Sequence, residues 1–293
     1  MLVLKTLLLV SSRLCYNVRM IKKLSFVASC LLLLFFASSA RIAAQQNASV
    51  TVVPQQIDPQ KLSNLQNTYF GQLELYRNQE EKYFVAVGQY HKLNTLASQE
   101  VAVAETRQLL ALRADVLITY IDILDEQLSQ ARGIPLENKS PERIALTLLK
   151  EQVQTHKTAV MNAKDRFELD KVSTSFLVSF SSLQSHTYYI LSLIKVGSMQ
   201  IAYDKLLVTR NAVQEYVNTQ PLSTAVKAEK DRGFAEISRN IVSIDTTFTP
   251  IKTQLYSSPG KRSLSDYTQL TGSLSPVYAQ INQVIAFLEE IRK

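Results

Sequence analysis

The fold turns on residues 234–255, FAEISRNIVSIDTTFTPIKTQL, in which Phe234, Ile237, Ile241, Ile244, Phe248, Ile251 and Leu255 recur at alternating steps of three and four. Such steps return to one side of an α-helix, so these side chains make a single apolar seam of the kind by which coiled-coil helices meet. Ser223 or Thr224 supplies the N-cap, and Pro250 is expected to bend the last turns before the Tyr256-Ser-Ser-Pro-Gly260 turn.

The same pattern extends in both directions. Downstream, Ser263-Leu-Ser-Asp266 reads as a capping box with Asp in place of Glu or Gln. It opens a sixth helix with Leu264, Tyr267, Thr271, Leu274, Tyr278, Ile281, Ile285 and Leu288 on one side and Pro276 as an expected kink. Upstream, Ser140-Pro141-Glu142 opens a third helix with the seam Leu146, Leu149, Val153, His156, Val160, Ala163, Phe167. A break over residues 170–173 separates it from a fourth, which runs to Asn218 and has a candidate kink at Gly197-Ser198. The second helix, from about Ser98 to Arg132, is apolar on two stripes, Leu109, Leu112 and Val116 beside Leu110, Leu117, Ile121, Leu124 and Leu128. A helix apolar on two sides belongs inside a bundle. Gly133 supplies the left-handed turn that stops it, with Pro135 beyond. The first helix, capped by Asp58 and running from Pro59 to about Asn94, repeats Tyr69, Tyr76, Tyr83 and Tyr90 every seven residues.

The fold class is therefore all-α, with about six long helices in three antiparallel hairpins, 59–132, 140–218 and 223–293. A helix of 35 residues is about 50 Å long, so the expected domain, 59–293, is an elongated bundle. Residues 45–58, rich in Gln and carrying Pro54, read as a flexible tether.

The first 44 residues hold six of the 32 basic residues and no acidic one, leaving 26 basic against 25 acidic in the rest. Six of the seven net positive charges thus come from the leader, and the charge gives no argument for nucleic acid or an anionic membrane as a partner. Met20-Ile-Lys-Lys followed by the apolar run Leu24–Ala40, with small residues at Ala40, Ala43 and Ala44, has the parts of a secretory signal. Met20 alone opens a signal of ordinary proportions, so either it or Met1 serves as the start. The expected location is outside the cytoplasmic membrane, secreted, periplasmic or at the cell surface. The alternative is a single-pass N-terminal anchor with residues 45–293 outside, which would make the N-terminal segment the point of membrane contact. Cys30, in a Val27-Ala28-Ser29-Cys30 sequence, and Cys15 both fall in the leader, so the part after it has no disulfide and no cysteine chemistry.

The run Tyr69-Phe-Gly-Gln-Leu-Glu-Leu-Tyr-Arg77, followed by Leu93-Asn-Thr-Leu-Ala-Ser-Gln-Glu100 and Ala104-Glu-Thr-Arg107, resembles exported all-helical proteins of small-genome candidate-phylum bacteria, a group without assigned activity. The resemblance covers the first two helices. It implies export and helicity and brings no catalytic or binding residues.

His91, His156 and His186 are the only histidines, and none stands in a Glu-x-x-His or His-x-x-x-His spacing. The ligand sets of a di-iron bundle and a zinc helix are therefore missing. No Gly-x-Ser-x-Gly and no glycine-rich phosphate loop occurs. No catalytic, cofactor-binding or metal-binding residue is assigned, and no cofactor is expected. Three functions fit. The first is a non-enzymatic structural or interaction protein that uses long helix faces as scaffold or partner surface, including self-association through its seams. The second is a membrane-active or pore-forming protein that inserts the uncharged segment 172–194. The third is a carrier holding an apolar or carbohydrate ligand against the tyrosines.

Overall fold

The computed structural model describes residues 59–260 and 262–292. The leader with its two cysteines, the tether and the Asp58 cap lie outside the described residues. Six helices follow one another without a strand among the described residues: α1 Pro59–Leu93, α2 Leu96–Gln130, α3 Leu136–Asn162, α4 Arg166–Thr219, α5 Thr224–Ser257 and α6 Leu264–Arg292. The all-α expectation holds, as does the count of helices.

The boundaries differ from the sequence reading where local caps decide them. Thr95 caps α2: the Ser98 amide donates to Thr95 Oγ1, and the Thr95 amide donates back to Ser98 Oγ, so the helix starts at Leu96. The third helix starts directly after Pro135, and Pro141 lies within its second turn rather than at its entrance. The break between α3 and α4 falls at residues 163–165, not 170–173. Asp165 Oδ1 accepts the Glu168 amide at 2.9 Å and Glu168 Oε2 accepts the Lys164 amide at 2.7 Å. This reciprocal cap starts a new helix three residues after Ala163, and Phe167, expected in the α3 seam, stands 77% exposed in the first turn of α4. The Ser263–Asp266 box is present, with Asp266 accepting the Ser263 amide at 2.8 Å.

Along α6 the expected seam holds at Leu274, Ile281 and Leu288, but at the alternate positions the buried residue is the one before the expected residue. Leu270, Leu274, Val277, Ile281, Val284 and Leu288 are buried, whereas Thr271, Tyr278 and Ile285 are exposed. Both sets obey three-four spacing, and the line that faces α4 and α5 runs through Val277 and Val284. Along α5 the expected seam holds, with Phe234, Ile237, Ile244, Phe248 and Leu255 buried.

Packing builds two three-helix units that share α4. Antiparallel α2 and α3 are laced at their edge by Asp115–Lys157 (2.6 Å), Asp122–Lys150 (2.7 Å) and Asp125–Arg143 (2.7 Å). Such half-exposed pairs add little stability, but they fix register. The first half of α4 closes this unit. It runs antiparallel to α3, where His156 stacks on Phe176, and parallel to α2, where the Arg113 guanidinium lies over the Phe176 ring. Its second half meets α5 through Tyr203–Phe248 and Lys252–Gln200, and Tyr188, short of its midpoint, meets Tyr267 of α6. Helices α5 and α6 are antiparallel, joined by Lys230 to the Ile291 carbonyl and by Gln280 to Ser243. Helix α1 packs chiefly on α2, with Lys61–Glu126 at one end and Gln79–Glu105 towards the other.

Gly197 does not break α4, which continues for 54 residues, about 80 Å at 1.5 Å per residue. Its role is a close approach. The α2–α3 connection crosses α4 here, and a Cβ on Gly197 would stand 2.5 Å from Ile134 Cγ1, while one on Gly133 would stand 2.4 Å from the Gly197 carbonyl oxygen. Gly133 also adopts the expected left-handed conformation, with φ of 75°.

Candidate functional site

Two polar clusters interrupt the apolar core, and each gathers side chains from several helices. The first lies within the α2–α3–α4 unit. Arg113 of α2 and His156 of α3 are buried around Phe176 of α4, and Tyr76 of α1 is buried near Arg113. The His156 ring stacks on Phe176 with centroids 4.1 Å apart, and the Arg113 guanidinium lies 5.3 Å from the same ring. No described carboxylate pairs with Arg113, whose Nε has no hydrogen-bond partner, nor has His156 Nε2. Burial, with the Arg113 charge beside it, pushes the His156 imidazole down to about 4. It is therefore neutral at pH 7, and its contribution to stability fades only as pH falls from the ordinary imidazole range towards 4. A neutral imidazole stacked on phenylalanine is a packing element with a polar edge.

The second cluster lies where the two units meet. His186 Nδ1 of α4 is 2.8 Å from Glu142 Oε2 of α3, with only 15% and 4% of the two side chains exposed. The α5–α6 turn closes over this pair: the Arg262 amide donates to the Ser185 carbonyl oxygen, and Gly260 lies against both His186 and Glu142. Tyr189 is fully buried beside them, its hydroxyl without a partner among the described residues. Burial first, and then the Glu142 charge, push the Tyr189 phenol up to about 12. A carboxylate on an imidazole is the orienting half of an acid–base pair, but among the described residues no hydroxyl hydrogen-bonds the other ring nitrogen. The arrangement ties three elements together.

Arg113 and Glu142, the buried charges of these two clusters, escaped the sequence reading, although each leaves a signal. Glu142 stands four residues before Leu146 and so continues the α3 seam by one step. Arg113 stands three residues after Leu110 and three before Val116, inside the α2 stripes. His156 occupies the expected seam position. His91 is exposed near the end of α1, so the three histidines are not brought together, and no group of His, Cys, Asp and Glu among the described residues is suited to hold a metal.

The tyrosine ladder faces α2. Tyr76 is buried, Tyr69, Tyr83 and Tyr90 are half-buried, and Tyr69 meets Tyr120 of α2 with ring centroids 6.1 Å apart. Burial pushes the Tyr69 and Tyr76 phenols up to about 12. The folded chain thus keeps protons that the unfolded chain loses near pH 10, and stability drawn from these phenols is complete below pH 10 and lost as pH climbs towards 12. Phenolate absorbance followed beside helical circular dichroism should show these tyrosines ionising only as the helices melt. Ionisation of all the tyrosines near pH 10 with helicity intact would refute their packing.

The uncharged segment 172–194 is the inner part of α4. Phe176, Phe180, Leu183, Tyr188, Ile190 and Leu193 are buried against its neighbours. No helix among the described residues is long and apolar enough to cross a membrane. The outer side of α1 contrasts with this closed interior: Phe70 and Phe84 are 51% and 54% exposed, and Leu75 and Val85 are exposed as well.

The chain matches no protein-family model, no curated protein and no solved structure.

Proposed function

We propose that this chain is an exported, non-enzymatic interaction protein, an elongated helical scaffold that offers a helix face to a protein partner. The observation that carries the reading is the asymmetry of α1. One side of it is covered by α2, and the other presents large apolar side chains to solvent in a unit whose interior is otherwise closed. Scattered apolar residues are normal on a surface, but Phe70 and Phe84, exposed rings on the uncovered side of one helix, are of the residue type enriched in binding faces. The secretory pattern of residues 20–44 supports a destination outside the membrane.

A photo-crosslinking phenylalanine analogue in place of Phe84 tests the reading in the native cell. Protein adducts should form there and not from the same analogue at Arg239, on the solvated face of α5. Equal labelling at both sites, or none at either, would sink it. Mass spectrometry of the exported chain should find its N-terminus at residue 41, 44 or 45; a chain kept inside the cell with its leader intact would refute export. Inserting residues 172–194 into a bilayer would instead require their buried side chains to leave α2, α3 and α6, and release of dye from liposomes by the folded protein would favour that alternative.

A further inference from the structure

We propose that the outer flank of α1 docks a second copy of this chain, the two α1 helices lying antiparallel about a twofold axis near residue 79. This inference rests on the reading of α1 as an interaction face and names the partner. Phe70, Arg77, Glu81 and Gly88 are separated by seven, four and seven residues, and each of these steps returns to the same flank of a helix. The spacing reads the same in both directions while the chemistry inverts. Reversing one helix against its copy sets Phe70 opposite Gly88 and Arg77 opposite Glu81, each contact made twice, as an isologous interface requires.

The structure leaves these positions free to do so. Phe70 is half exposed, Arg77 and Glu81 are exposed, and Gly88 is partly so. A Cβ on Gly88 would meet nothing within 4 Å, so the glycine opens onto vacant space into which a ring can seat as a knob into a hole. The competing register, with Phe70 against Phe84, sets Arg77 on its own copy and is opposed by like charge. Residues 70–88 extend about 27 Å along the helix, and a pair of helices of that length buries less than about 1,000 Å², the range of transient rather than obligate contacts. The dimer is therefore expected to be concentration-dependent.

Charge inversion tests the pairing in full-length chains. Two differently tagged copies are co-expressed and one is captured by its tag. Wild-type copies should co-purify. Arg77→Glu in both copies, or Glu81→Arg in both, should weaken recovery about tenfold, because each sets like charges face to face twice. Arg77→Glu in one copy with Glu81→Arg in the other should restore it, since every facing pair is again opposite in sign. Gly88→Leu in both copies should also abolish recovery while leaving helicity and melting temperature unchanged or raised, because the fold has room for the side chain and leucine favours helix. Equal recovery in every arm, or none between wild-type copies, would overturn the inference. Crosslinks from position 84 to a different protein, with no self-association, would overturn it as well while leaving the interaction reading standing.

Discussion

Replacing His186 by Leu is expected to destabilise the chain by about 3–5 kcal/mol, the cost of leaving a buried charge without its partner. Glu142 is almost wholly removed from water, and His186 Nδ1, 2.8 Å away, is the described side chain that answers it. Glu142→Leu should cost less, because an imidazole left without its partner is less costly to keep from water than an unpartnered carboxylate. The double replacement should recover most of the loss, apolar groups of similar volume being tolerated where a hydrogen-bonded polar pair was buried. Urea unfolding of the four proteins closes the cycle. A His186→Leu chain within about 0.5 kcal/mol of wild type would mean that the pair contributes nothing at the junction.

Gly133→Ala is the second large effect, a loss of about 3 kcal/mol. A side chain at φ of 75° carries the left-handed penalty of about 1–2 kcal/mol, and its Cβ would overlap the Gly197 carbonyl oxygen. Gly197→Ala meets Ile134 and the Arg132 carbonyl instead, but recovers part of the cost through the better helix propensity of alanine, so its loss should be nearer 1–2 kcal/mol. Gly272→Ala in α6 meets no atom within 4 Å and should stabilise by about 1 kcal/mol. Opposite signs for the two helical glycines, measured by thermal unfolding, would establish that Gly197 serves the crossing rather than flexibility. A stabilised Gly197→Ala chain would remove that role.

The seams of α3 and α5 were legible from spacing alone because a period of three and four in apolar residues leaves an α-helix as the economical interpretation, and five of the seven α5 positions are indeed buried. What spacing does not encode is the partner. Nothing in residues 98–132 says that α2 runs parallel to α4 as well as antiparallel to α1 and α3, since a stripe is apolar whichever helix covers it. Where two adjacent positions are both apolar, as at Val277–Tyr278 and Val284–Ile285, two seams satisfy one period, and the tertiary neighbours choose. The α3–α4 boundary was masked by Phe167, which continues the seam in number while the Asp165–Glu168 cap has already turned the chain. The buried charges were hidden by a different rule. Charged residues are ordinarily assigned to water, and Arg113 and Glu142 are recognisable only as charged members of apolar periods.

Because α4 is common to both three-helix units, the order in which the chain is made matters to how it folds. At about 5–20 residues per second, α1 to α3 and the front of α4 are complete several seconds before α5 and α6 exist. The first unit can close on contacts that are already present, while Leu206 and Val213, on the trailing half of α4, must wait for apolar cover from helices still to come. The long helix then acts as a template: its leading half is fixed in direction by the unit behind it, and its trailing half offers a preset rail onto which the last hairpin is laid. The Glu142–His186 pair, covered by the final turn, would be the last of the charges to lose its water.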